Sequence, residues 1–379
     1  MVTPGAERPR FVALDSWRGI AALAIAFRHI NGTAPFLGGQ FHGNLSLAVD
    51  FFFVLSGFVI AMSYGDRLAQ GFSILRFMVL RWGRVWPLHA AMVIAYLLLE
   101  TGLWLKGPGG GLAGREAFTG PRDPAALLPS LLLVQTWIWP GRDLWNVQSW
   151  SISVEIALYI GAAMLWRGLG RGAYPVALAL AGIALWLLAR TSLPDQMLRG
   201  LAGFGLGMGC WRLWPRAEAF PLPRLHATVA EIGLIAALLL WLAAPVPLAA
   251  MDLLFALMVL LFARERGLVS RLLVTAPFQL LGVLSYGIYM VHGMVNGRAL
   301  DLVQLVQRHL GTHWVDARLG GEDLILLPSV PALALACAML ALSVLAAWCA
   351  HLLVERPARD LSRRLAGRIG RQNSAPAAT

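Results

Sequence analysis

The sequence predicts an all-α membrane protein, a bundle of about ten transmembrane helices with both termini in the cytoplasm. Of its 379 residues, 58% are hydrophobic and only 13% are charged, whereas a soluble globular protein carries roughly 25% charged residues. The shortage of charge runs along the whole chain, which excludes a large soluble domain. The net charge of +11 would suit nucleic acid. The arginines, however, stand in short loops between apolar runs, where positive charge sets membrane orientation, so no nucleic-acid partner is predicted.

Ten apolar runs are long enough to span a bilayer. They are 13–32, 45–64, 84–105, 150–166, 174–190, 197–214, 228–244, 247–263, 277–295 and 328–353. The run 125–140, AALLPSLLLVQTWIWP, is short for a span and contains proline and two tryptophans, so we place it at the outer interface. With that choice 20 basic residues lie on the inner side and 9 on the outer side, as the positive-inside rule requires.

This topology divides the chain into three parts. We expect a cytoplasmic N-terminal tail at 1–12, a membrane domain at 13–356 and a basic cytoplasmic C-terminal tail at 357–379. Long outer loops at 106–149 and 296–327 could cover a site on the outer face.

The first span carries charged residues that a bilayer tolerates only at a cost. Arg18 and His29 are eleven residues apart, which places both on one helix face with a rise of roughly 16 Å between them. Asp15, one turn before Arg18, can pair with it. Arg28 points to another face and is expected to extend toward the outer surface.

Three further spans place ionisable residues at the depth of His29. They are Asp50 in the second span, Glu155 in the fourth and His292 in the ninth. A histidine beside a carboxylate is a common general base at neutral pH. We therefore predict a catalytic layer of His29, Asp50, Glu155 and His292, while a helix cap or a structural ion pair remains open for the two carboxylates.

A second group of charges lies at the cytoplasmic start of the third span. Arg81 and Arg84 are one turn apart on one face, with Arg76 just before them. Guanidinium groups near a helix N-terminus suit phosphate. The alternative is that these arginines only set membrane orientation.

Two other patterns bear on helix packing and on metal binding rather than on catalysis. In GFGLGMG, 203–209, Gly203 with Gly207 and Gly205 with Gly209 form small-xxx-small pairs for close helix packing. Neither the three cysteines nor the loop histidines have metal-ligand spacing, so no metal is predicted.

Taken together, these segments resemble the acyltransferase-3 type integral membrane O-acyltransferases of bacteria, over about residues 10 to 360. The resemblance rests on Arg18 with His29, VDFFFVLSGF with Asp50, RWGRVWP, WSISVE, LSYGIYMVH and ERPAR, in that order. Arg28 departs from the family pattern, which has an uncharged residue there. The resemblance implies that the first-span Arg and His are needed for activity. It also implies acyl-CoA as the donor substrate, a carbohydrate acceptor and a multi-pass location in the bacterial inner membrane, in contact with lipid.

Three functions remain open at this point. An enzyme would move an acyl group, acetyl in the simplest case, from cytoplasmic acyl-CoA held by Arg18, Arg81 and Arg84 to a carbohydrate hydroxyl near His29. A proton-coupled transporter or flippase of a glycan or lipid-linked sugar would also explain charge within the membrane. It explains the inner arginines and the alignment of Arg18 with His29 less well. A non-catalytic assembly protein leaves the polar layer unexplained.

Overall fold

Helices make up most of the computed structural model, which describes residues 10–107, 116–190, 195–245, 247–316 and 324–372. In chain order the helices are α1 Val12–Arg28, α2 Gly39–Asn44, α3 Ala48–Ile60, α4 Asp66–Ala69, α5 Ile74–Leu105, α6 Leu127–Leu131, α7 Gln135–Ile138, α8 Trp150–Leu169, α9 Ala173–Arg190, α10 Asp195–Ala219, α11 Arg224–Leu242, α12 Leu248–Phe262, α13 Leu268–Leu273, α14 Ala276–Leu310, α15 Ser329–Ala350 and α16 Arg356–Gln372. Short β-strands follow α1 and α14: β1 Asn31–Gly32, β2 Val315–Asp316 and β3 Leu324–Ile325.

A helix lies on each of the ten predicted spans. Among the described residues, six helical segments are long and apolar enough to cross a membrane by length and composition, and 147–190 joins α8 and α9 in one of them. The structure therefore supports a helical membrane bundle, while ten crossings and cytoplasmic termini stay predictions.

The segment 125–140 does not form a spanning helix. It is divided into α6 and α7, which are five and four residues long, far short of the roughly 20 residues that a crossing needs.

The two regions predicted as an outer loop and a C-terminal tail are partly helical. Helix α14 continues to Leu310, well into the predicted loop 296–327. Helix α16 occupies Arg356–Gln372 and packs on α5. Residues 1–9 and 373–379, the ends of the two predicted tails, lie outside the described residues.

Glycines bring α1 and α14 into backbone contact. A Cβ added to Gly19 would lie 2.5 Å from the carbonyl carbon of Leu281, and one added to Gly282 would lie 2.5 Å from the carbonyl oxygen of Asp15. The two helices run in the same direction, since residues 15 to 19 of α1 meet residues 281 and 282 of α14, and further along both helices His29 meets His292. This contact determines which residues of α1 and α14 face each other further along the two helices.

Both predicted glycine pairs on α10 pack as expected, on two different neighbours. Gly203 and Gly207 face α3, where an added Cβ at Gly207 would lie 1.9 Å from the carbonyl oxygen of Val54. Gly205 and Gly209 face α9, against Ala177, Ala181 and Leu178. The two small-residue faces hold α10 between α3 and α9.

Replacing Gly207 by alanine is expected to lower the melting temperature of the detergent-solubilised protein. The added methyl group meets backbone, which cannot move aside as a flexible side chain can, and overpacking costs about 1–3 kcal/mol. Gly182→Ala in α9 is the matched control, because nothing lies within 4 Å of its added Cβ and alanine favours a helix. Equal melting of the Gly207→Ala and wild-type proteins would contradict this packing.

The strands form a small sheet in the order β1-β3-β2, with β1 parallel to β3 and β3 antiparallel to β2. Because β1 begins two residues after His29, the sheet lies at the same end of the bundle as that histidine. Val315 and Ile325 of the sheet are buried in one apolar cluster with Ile30 and Leu37.

Candidate functional site

Two histidines from α1 and α14 meet at one end of the bundle. His29 and His292 each lie ten residues beyond the glycine that joins their helices, Gly19 and Gly282 respectively. As a result Nε2 of His292 is 3.3 Å from Nδ1 of His29. His292 is fully buried, whereas His29 is exposed. We call these two residues the histidine pair.

Backbone carbonyls determine which nitrogen of each ring carries hydrogen. Nδ1 of His29 lies 2.8 Å from the carbonyl oxygen of Ile25, and Nδ1 of His292 lies 3.1 Å from that of Ile288. A carbonyl oxygen only accepts, so both Nδ1 atoms are donors. In neutral His29 this leaves Nε2 as the basic nitrogen, which suits a general base or a nucleophile.

Gln148, which sequence reasoning misses, links the histidine pair to its surroundings. Its side-chain Nε2 donates to Nε2 of His292 at 3.2 Å. Its backbone oxygen accepts from the hydroxyl of Tyr289 at 2.9 Å, and that hydroxyl lies 2.7 Å from Oγ of Ser151. Gln148 comes two residues before the WSISVE segment, but nothing in the sequence pairs it with His292.

Asp50 forms a buried ion pair with Arg199 of α10. Its Oδ1 accepts from Nε of Arg199 at 3.0 Å and its Oδ2 from Nη2 at 2.8 Å. The structural ion pair that the sequence left open is thus present. Arg199, which stands near the start of the sixth predicted span and was not predicted as Asp50's partner, is only 13% exposed. An arginine in an apolar helix is the signal that could have identified it.

Glu155 lies on the wall of a cavity. Its Oε1 accepts hydrogen bonds of 2.5 Å from the hydroxyls of Ser56 and Tyr159. The cavity has a volume of about 300 Å³ and lies between α1, α3, α5, α8 and α14. We call it the main cavity.

All three arginines predicted to bind phosphate line the main cavity: Arg18, Arg81 and Arg84. Arg18 pairs with Asp15 as predicted, at 3.3 Å, and Arg81 donates to the hydroxyl of Tyr64 at 3.2 Å. Helix α5 begins at Ile74, ten residues before the predicted span. Arg81 and Arg84 therefore lie inside the helix, and the prediction that they stand near a helix N-terminus is wrong.

The remaining two arginines of interest lie outside the main cavity wall. Arg76 stacks over the ring of Phe72 at 5.3 Å. Arg28 donates to the carbonyl oxygen of Gly43 and to Oδ1 of Asn31, so it is held against segments at the histidine end of the bundle.

The main cavity reaches from the arginines to the hydrogen-bonded network around the histidine pair. Ser151 and Tyr289 line it, and Tyr289 holds the backbone of Gln148, whose side chain holds His292. A ligand with an anionic end and a long neutral arm would fit this arrangement. Within the described ranges no group of three or more His, Cys, Asp or Glu residues could hold a metal ion.

Comparison with known proteins finds a family model and two similar sequences. The model described as an acyltransferase domain matches residues 11–349. "Acyltransferase MdmB" of Streptomyces mycarofaciens is 34% identical over 177 residues, which are 42% of this chain and 41% of that protein. "Protein 2 in picA locus" of Rhizobium radiobacter is 40% identical over 103 residues, which are 26% of this chain and 52% of that protein. The chain thus spans about two fifths to one half of these relatives, and no solved structure matches.

Proposed function

This chain belongs to the acyltransferase domain family, whose model covers residues 11–349, and on that premise we propose that it is a membrane O-acyltransferase. The donor is cytoplasmic acyl-CoA, carrying an acetyl group in the simplest case, and the acceptor is a hydroxyl of a cell-envelope or secreted carbohydrate. The observation that carries the proposal is the main cavity, which has arginines in its wall and is joined through Gln148 to the histidine pair. A transporter would not need that arrangement, and one of the relatives is named an acyltransferase.

The arginines of the main cavity suit the phosphates of CoA. Hydrogen bonds between guanidinium and phosphate are charge-assisted and about twice as strong as neutral ones. The helical rise between Arg18 and His29, roughly 16 Å, is comparable to an extended pantetheine arm. A CoA anchored at Arg18, Arg81 and Arg84 therefore brings its thioester toward Ser151 and Tyr289, beside the histidine pair.

The basic nitrogen of His29 then serves the transfer step. As a general base, Nε2 removes the proton of the acceptor hydroxyl while the hydroxyl oxygen attacks the thioester carbonyl. The C–S bond breaks, and the leaving CoA thiolate takes a proton from the imidazolium. As a nucleophile, the same nitrogen would carry the acyl group before the acceptor does. Both routes need the tautomer that Ile25 and His292 hold.

The roles of the other predicted residues follow from their contacts. We propose that His292 orients His29, because the two rings touch. We propose that Asp50 supports the bundle through Arg199, and that Glu155 shapes the donor cavity with Ser56 and Tyr159.

Label transfer tests the proposed function. Membranes that contain the wild-type protein are expected to move radiolabel from acetyl-CoA to envelope carbohydrate, and membranes with His29→Ala are not. Comparing the masses of envelope glycans from a deletion strain identifies the acceptor. Transport of a glycan by the wild type without consumption of acyl-CoA would contradict the proposal.

Arg81→Ala and Arg84→Ala are each expected to weaken acyl-CoA binding by about ten- to a hundredfold, since a hydrogen bond to a charged group contributes roughly 1.5–3 kcal/mol. Acceptor affinity should stay nearly unchanged. Lysine at either position should restore only part of the acyl-CoA affinity, because it keeps the positive charge but cannot bind phosphate bidentately as the guanidinium does. Titration calorimetry of the purified variants measures the affinities for acyl-CoA and for the acceptor.

Arg76→Ala is the matched control for these two variants. Arg76 lies on the same helix, stacks on Phe72 and does not line the main cavity, so its loss should leave acyl-CoA binding unchanged. If Arg81→Ala and Arg84→Ala bind acyl-CoA as tightly as the wild type and disturb only membrane orientation, these arginines serve topology alone.

A further inference from the structure

A second cavity of about 190 Å³ adjoins the main cavity and is mostly polar. The two cavities share Arg10, Asp15, Arg18, Arg84 and Tyr286. The second cavity adds Glu355, from the helical turn that joins α15 to α16, and Arg359 from α16. Arg18 and Arg84 thus stand at the junction of the two spaces.

Close packing of α16 on α5 places Arg359 at this cavity. A Cβ added to Gly83 would lie 2.2 Å from Cβ of Ser362, so only glycine allows this approach. Ser362 is buried, and its hydroxyl donates to the carbonyl oxygen of Arg359 at 2.9 Å. Gly83 directly precedes Arg84, and Arg359 lies one turn before Ser362. The same contact therefore brings the two arginines to one cavity, and α16 is part of its wall.

The charges around the second cavity suit an anionic ligand with hydrogen-bond donors. Its lining holds four arginines, Arg10, Arg18, Arg84 and Arg359, and two carboxylates, Asp15 and Glu355, an excess of two positive charges. Glu355 is 6% exposed, and its Oε1 has no hydrogen-bond partner among the described residues. An unsatisfied carboxylate oxygen is costly when buried. The phosphate of a ligand would suit the excess of arginines, and its hydroxyl or amino groups would satisfy Glu355.

We propose that the second cavity binds the 3′-phosphoadenosine end of CoA and that Arg359 binds its 3′-phosphate. This rests on the proposed function. In CoA the diphosphate lies between the pantetheine arm and the adenosine, so a pantetheine in the main cavity puts the diphosphate at Arg18 and Arg84, on the junction. The adenosine then enters the second cavity. Its 3′-phosphate, with about −1.5 to −2 charges at neutral pH, meets Arg359, while Glu355 accepts from the nucleoside. The site would select CoA over acyl carriers that lack the 3′-phosphate.

Binding of CoA and of 3′-dephospho-CoA to the full chain in detergent tests this assignment. The wild type is expected to bind CoA about ten- to a hundredfold more tightly than dephospho-CoA. Arg359→Ala should lower CoA affinity by that factor and change dephospho-CoA affinity less than about twofold. Arg359→Lys should recover part of the CoA affinity. Arg363→Ala, on the same helix and 72% exposed in a surface pair with Asp360, should change neither.

Three results would overturn the proposal. The first is an unchanged CoA affinity in Arg359→Ala, and the second is an equal loss of affinity for both compounds in that variant. The third is equal binding of CoA and dephospho-CoA by the wild type, which is expected if the second cavity holds a lipid phosphate. If the wild type binds neither compound, the acyl-CoA donor itself is wrong, which separates failure of the proposed function from failure of this subsite.

Discussion

His29→Ala is expected to lower acyl transfer by about a hundredfold or more while leaving the fold intact. A positioned general base contributes about 10²–10⁴ in rate, and a nucleophile at the same atom would be lost altogether. His29 is exposed and follows the last residue of α1, so its removal costs few packing contacts. The rate of label transfer from acetyl-CoA measures the loss, and the melting temperature checks the fold.

His309→Ala is the control for this variant. His309 is an exposed histidine on α14, and its ring nitrogen Nδ1 bonds the carbonyl oxygen of Leu305 on its own helix at 2.9 Å. Its loss should leave turnover unchanged. Near-normal turnover by His29→Ala would remove the histidine pair from the mechanism.

Arg199→Ala is expected to destabilise the protein by about 3–5 kcal/mol, the typical cost of removing one partner of a buried ion pair. The variant leaves the fully buried carboxylate of Asp50 without its guanidinium. Asp252 is also fully buried, and neither of its oxygens has a hydrogen-bond partner among the described residues. It is close enough to interact electrostatically with Asp50 and Arg199. Adding Asp50→Asn to Arg199→Ala should recover part of the loss. Thermal unfolding in detergent measures all three proteins.

Arg298→Ala provides the comparison with a surface pair. Arg298 binds Asp301 at 2.6 Å but is 50% exposed, and such pairs contribute at most about 1 kcal/mol. Asp50→Asn by itself decides the role of Asp50. If this variant is stable but has no turnover, Asp50 is a catalytic residue. If it is unstable and its folded fraction still turns over, Asp50 has the structural role.

Sequence patterns predicted the features that depend on neighbouring positions along one helix. Apolar length located a helix on every predicted span, the i,i+3 spacing paired Asp15 with Arg18, and small-residue spacing predicted both packing faces of α10. Each of these follows from helix geometry alone.

Contacts between helices were harder to predict, because depth in the membrane does not determine which side chains face each other. His29, Asp50, Glu155 and His292 share a predicted depth, and the structure places the two histidines in contact. Asp50 binds Arg199, 149 residues away in the chain. Both outcomes depend on how each helix is rotated about its axis and on which helices it packs against. Glycine contacts such as that of Gly19 with Leu281 establish this only in the folded bundle.

The central claim is that one cavity carries an acyl donor from the arginines to the histidine pair. A diazirine at the end of the acyl group of acyl-CoA tests it most directly, since mass spectrometry of the irradiated protein locates the acyl end. The expected labels lie in the peptides that contain Ser151 and Tyr289, which line the cavity next to Gln148, and excess CoA should abolish them. Labelling spread over exposed apolar residues such as Leu240 and Val330, unaffected by CoA, would contradict the account.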